Sequence, residues 1–157
     1  MLPQLEGRPL RVVIRASLGP HWAATSIPRR VIFLDREVLA QRGEFERILV
    51  HELFHFVWVR LSNQAREQWR SLLSKEFRSR AKGELGWSAE RRKAKLSLRD
   101  PAARTWAWKR YTCESFCDTA ARLYSGLATH DEFTLAPRWT RRRQVWMTNL
   151  ATNGLRL

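Results

Sequence analysis

The chain has 157 residues, 44% of them hydrophobic, with 29 Lys and Arg against 15 Asp and Glu. This length and composition describe a single globular domain, residues 1–157, and exclude a disordered chain. The formal charge of +14 would attract nucleic acid, anionic membrane surfaces or acidic protein segments. No base-reading motif accompanies it, so it predicts at most non-specific, salt-sensitive binding of nucleic acid or of an acidic partner.

The opening stretch MLPQLEGRPLRVVI has no apolar segment behind a basic one, and no later apolar run reaches membrane-spanning length. A soluble, cytoplasmic protein is expected. Two cysteines, Cys113 and Cys117, lie one helical turn apart. They make no disulfide framework and fit a reducing compartment.

In chain order, Leu10–Ser17 and Arg29–Asp35 are β-branched runs bounded by Gly and Pro signals, and both predict strands. Between them Trp22–Ser26 can form a third short strand. Gly43–Leu61 is the strongest helix, with Glu44 and Glu46 in its first turn, where the helix dipole favours acid. A second helix follows from Asn63 to about Arg80, capped by Ser62 or Asn63. The Gly-containing, basic segment after it is loop with a short helix from Ser88. Thr105–Tyr124 is a third long helix stopped by Gly126, and Arg138–Leu150 is a basic terminal helix. A few strands followed by helices make the fold class α+β.

The chemistry centres on His51-Glu52-Leu53-Phe54-His55. At about 100° per residue, His51 and His55 fall within about 40° of each other, one turn apart, and can aim at one point. Glu52 is rotated about 100° from His51, so it flanks that point. Zinc takes neutral imidazoles and, in a catalytic site, leaves a position for water. A flanking carboxylate can take that water's proton and return it to a leaving amine. The rest of the helix is apolar on every side, so it is expected to be buried. Its histidines and glutamate then need partners, and a metal ion is one.

Two histidines need a third ligand. In Thr105–Tyr124, Glu114 and Asp118 share a face with Ala107, Tyr111, Ala121 and Ser125. Glu114 can bind a metal, and Asp118 can hold the distal nitrogen of a ligating histidine; the alternative is an exposed face of solvated acids. Cys113 and Cys117 lie about 100° from Glu114 on the apolar arc. With both histidines they would make a closed structural zinc site, and otherwise they are ordinary core residues. His21 and His130 are further candidate ligands, His130 lying in a loop beyond Gly126.

The motif His51-Glu52-x-x-His55 with the later Glu114-x-x-x-Asp118 resembles the gluzincin branch of the zinc metallopeptidases, over roughly Arg29–Tyr124. The resemblance implies a minimal zincin-like fold, a small N-terminal sheet followed by the active-site helix and further helices. It implies one Zn2+ per chain held by His51, His55 and Glu114, with Glu52 as general base and Asp118 orienting a ligand histidine. The substrate would be a peptide or protein, paired against an edge strand at Arg30, Val31, Ile32 and Phe33. Candidates for the transition-state hydrogen-bond donor are Tyr111, Tyr124 and His130. The gap between His55 and Glu114 is longer than in the best-known members. Two rivals stand beside this expectation: a peptidase with His130 as third ligand and a DNA-binding arginine surface, and a non-catalytic basic module with an idle zinc site.

Overall fold

A computed structural model describes residues 2–152 and 154–157. Its strands are β1 (Leu5–Glu6), β2 (Arg11–Arg15), β3 (Ala23–Ser26), β4 (Val31–Asp35) and β5 (Leu155–Arg156). Its helices are α1 (Glu44–Arg60), α2 (Asn63–Arg78), α3 (Trp87–Lys93), α4 (Asp100–Ala103), α5 (Trp106–Tyr124) and α6 (Pro137–Ala151). The class is α+β with a small sheet, as expected. No helix among the described residues is long and apolar enough to cross a membrane.

The main sheet has the order β2-β4-β3, with β2 parallel to β4 and β3 antiparallel to it. Val31, Ile32 and Leu34 of β4 are at most 2% exposed, as a continuous apolar run in a central strand requires. This corrects one expectation. Val31, Ile32 and Phe33 pair on both sides and offer no free edge, while Arg30 sits in the preceding turn with φ of 52°. The open edge facing the site belongs to β3. Asp35 N–H donates to the Trp22 carbonyl at 2.8 Å, so the pair opposite it is the hydrogen-bonded kind. By alternation, Ala23 and Thr25 turn their backbone groups outward.

A second, two-stranded parallel sheet joins β1 to β5. The sequence pattern gave no sign of it, because each strand is only two residues long. The four-residue helix α4 was also unforeseen, as part of a segment read as loop.

Helix α1 is sandwiched. One side packs through Ile48 and Phe56 against Ile32 and Leu34 of the sheet and Val38 in the turn after β4. The other side packs through Val50, Phe54 and Val57 against Trp69, Phe116 and their neighbours from α2 and α5. Its start is fixed by Gly43, whose φ of 88° suits glycine and whose N–H donates to the Glu46 carboxylate at 3.0 Å. Helix α5 begins at Thr105, whose hydroxyl accepts from Trp108 N–H at 3.2 Å. It is buried along most of its length. Trp106, 71% exposed, lies under the Arg110 guanidinium.

The basic terminal helix holds another correction. Arg143 is fully buried, not part of a solvated basic face. It donates to Glu76 Oε2 through Nε at 3.0 Å and Nη2 at 2.7 Å, and to Glu84 Oε2 through Nη1 at 2.6 Å. Lys93 Nζ lies 3.0 Å from Glu84 Oε1, and Tyr111 donates to that oxygen at 2.6 Å. This network ties α2, α3, α5 and α6 together through charge.

Candidate metal centre

The packing of α1 on α5 brings the two sequence motifs together. His51 Nδ1 lies 2.7 Å from Asp118 Oδ1, and His51 Nε2 lies 3.4 Å from Glu114 Oε2. Glu114 is 9% and Asp118 2% exposed, so the alternative of solvated surface acids does not describe this face. With His51 Nδ1 engaged by Asp118, Nε2 is the nitrogen left to bind a metal. Zinc–ligand bonds of about 2.0–2.1 Å in a tetrahedron separate two donors by about 3.3 Å. The gap between Nε2 and Oε2 is of that size.

Without a metal, the imidazole sits between two carboxylates. Burial opposes its charge, but Asp118 and then Glu114 outweigh that and raise the His51 pKa well above the ordinary value. Burial also opposes ionisation of Glu114, yet His51, His55 and Arg92 hold its carboxyl down at about 2. A metal bound at His51 would take the place of the proton on Nε2.

Three supporting residues escaped the sequence. Arg92 Nη2 lies 3.2 Å from Glu114 Oε1 and leaves Oε2 toward His51. Ala89 N–H donates to Asp118 Oδ2 at 2.9 Å from the start of α3. Gly86 lies so close to Asp118 that a Cβ there would fall 2.2 Å from its Cγ. No sequence signal singled these out, since each acts through a contact between distant segments. Asp118→Asn should therefore lower metal affinity by about 10–100-fold. Gly86→Ala should cost a comparable amount by pushing the same carboxylate away. Competition with a chromophoric chelator measures both, and unchanged affinity in both variants would remove Asp118 from its orienting role.

The cysteines combine features of both readings given for them. They pack in the core, as their apolar arc requires, but both sulfurs reach the second histidine. His55 Nδ1 lies 3.4 Å from Cys117 Sγ and 3.6 Å from Cys113 Sγ. Donor atoms of His51, His55 and Cys117 lie within 4.8 Å of one another, a group that could hold a metal ion. A hydrogen bond with Cys117, opposed by burial and aided by His55, lowers the Cys113 pKa to about 6.

The other candidates separate cleanly. Glu52 lines a cleft of about 540 Å³ together with His51, and its Oε2 accepts from the Thr25 hydroxyl at 2.6 Å. That bond fastens it to β3, and Oε1 has no hydrogen-bond partner among the described residues. His130 lines the same cleft, bonds Glu44 through Nε2 and accepts from Glu132 N–H at Nδ1; like Glu114, it lies outside the group of His51, His55 and Cys117. His21 also lines the cleft. Tyr111 is fully buried with its hydroxyl given to Glu84, and Tyr124 stacks on Phe54, rings 5.5 Å apart. Neither tyrosine is among the residues lining the cleft.

The cleft is acidic within a basic chain. It carries the carboxylates of Glu44, Glu52, Asp118, Asp131 and Glu132 against two arginines, Arg47 and Arg91. Arg47 is already paired with Glu44 at 2.7 Å and Glu132 at 2.9 Å. Trp22 and Trp87, 43% and 56% exposed, also line it. Compared with protein-family models, curated proteins and solved structures, the chain matches none.

Proposed function

We propose that this chain is a gluzincin-like zinc metallopeptidase, with His51, His55 and Glu114 as zinc ligands and Glu52 as general base. The observation that carries the proposal is the arrangement around His51: Nδ1 on Asp118, Nε2 toward Glu114, and Glu52 beside it in an open cleft. Zinc bound there would polarise a scissile carbonyl and acidify a water. Glu52 would take a proton from such a water at Oε1 and hand it to the leaving amine, with Thr25 keeping the carboxylate aimed. Asp118 and Arg92 hold His51 and Glu114 in place. Of the transition-state donor candidates only His130 lines the cleft, and its Nε2 would have to leave Glu44 to serve.

An extended peptide is the substrate form that suits the outward backbone groups of Ala23 and Thr25 on β3. The carboxylates of the cleft favour cationic side chains over acidic ones. Peptides bearing Lys or Arg should be cleaved several-fold better than Asp or Glu counterparts at low salt. The difference should narrow as screening increases. A preference for acidic peptides would instead tie the substrate to the arginine surface.

A second reading has its own support in the convergence of His51, His55 and Cys117. In it the metal is structural, Glu52 is idle, and the chain is a basic binding module for nucleic acid or an acidic partner. Incubating the zinc-loaded protein with a broad peptide library, read by mass spectrometry, tests the enzyme against the module. Cleavage that requires both zinc and Glu52 supports the peptidase, and cleavage indifferent to Glu52 contradicts it.

A further inference from the structure

The two nitrogens of His55 serve different purposes in this fold. Nδ1 is turned to the sulfurs of Cys113 and Cys117, so Nε2 is the nitrogen that the proposed zinc site would use. The thiols are one turn apart on α5, as i and i+4 positions must be, so their sulfurs stand on the same side of the helix. Bonds of about 2.3 Å to sulfur and 2.0–2.1 Å to nitrogen in a tetrahedron separate those donors by about 3.6 Å. The observed separations of 3.6 and 3.4 Å match that edge for both sulfurs.

We propose that Cys113, Cys117 and His55 Nδ1 form a second metal site, selective for thiophilic cations, that competes with the first for His55. Soft thiolate donors select soft ions, whereas the carboxylate of Glu114 suits harder ones. The two sites cannot both be filled with His55 as an ordinary neutral imidazole, because each needs a different nitrogen free of its proton. A soft ion held by the cysteines therefore draws His55 out of the first set. Soft-metal inhibition of hydrolysis is the functional consequence, and that consequence alone rests on the peptidase proposal. The site itself does not.

Cadmium is the probe, and cadmium NMR is the readout, because its shift separates sulfur from nitrogen and oxygen donors. One equivalent of Cd2+ added to the metal-free protein should give a resonance in the sulfur-bound range. His51→Ala should keep that resonance, since His51 belongs to the other set. Cys113→Ser combined with Cys117→Ser should lose it, with circular dichroism checking that the variant folds. Should that variant fail to fold, Cys117→Ala alone should still move the resonance away from the wild-type position. A wild-type signal in the nitrogen and oxygen range overturns the site, and so does loss of the sulfur signal in His51→Ala. Peptide cleavage is measured separately. A sulfur-bound cadmium resonance, in a protein whose zinc-loaded and cadmium-free form cleaves nothing, refutes the peptidase and retains the site.

Discussion

Replacing Glu52 by glutamine is expected to cut peptide hydrolysis by at least about 10²–10⁴-fold while leaving fold and zinc content intact. The side chain keeps its size, and the amide can still meet the Thr25 hydroxyl that lies 2.6 Å from Oε2. It can no longer accept a proton from water. Glu52 is not a ligand in the proposed site, so zinc should remain in full. The expectation separates the competing accounts. A basic binding module has no activity to lose, and a structural zinc site leaves Glu52 without a part. Equal cleavage by the two proteins would assign the chemistry to other residues or to a contaminant.

The largest expected effect on stability lies far from the cleft, at Arg143. Its guanidinium is the shared partner of Glu76 and Glu84, all three within 1% of full burial by side chain. Arg143→Met leaves two buried carboxylates, only one of them with a second cation in Lys93. Breaking a buried pair in this way costs roughly 3–5 kcal/mol, because the remaining charge is uncompensated. Adding Glu76→Gln and Glu84→Gln should recover part of the loss, since no naked charge then remains. Urea unfolding midpoints read both changes. A midpoint unmoved by Arg143→Met would contradict the account of this network.

The same network sets a direction in acid. Burial works against ionised Glu84, but Arg143, Lys93 and Tyr111 overcome it and bring its pKa from 4.5 to about 2. A depressed carboxyl stabilises the fold fully above the unfolded value near 4.5, and that stability fades as pH falls toward 2. Glu76 moves the other way: burial raises it despite Arg143, and its Oε1 is buried without a protein partner. Within this network the acid loss is carried by Glu84 and partly offset by Glu76.

What could be seen in the sequence follows a physical division. Periodicity located α1 and α5, because both present apolar faces over many turns. The i, i+4 spacing aligned His51 with His55 and Glu114 with Asp118, since helix geometry alone relates such residues. Contacts between segments far apart in the chain were out of reach. Thr25 reaches Glu52 across the gap between β3 and α1, Gly86 makes room for Asp118, and Arg92 faces Glu114 from α3. Strand order belongs to the same class. The run at Val31–Asp35 reads equally as a central strand or an edge, and only its two neighbours decide. Arg143 was concealed by composition, sitting among arginines that are mostly exposed.

X-ray absorption at the metal edge of the protein loaded with one equivalent of zinc tests the central claim most directly. The account predicts a first coordination sphere of nitrogen and oxygen only, at about 2.0–2.2 Å, from His51, His55, Glu114 and a water. Sulfur at about 2.3 Å would contradict it, placing the zinc on Cys113 or Cys117 and leaving Glu52 without a water to activate.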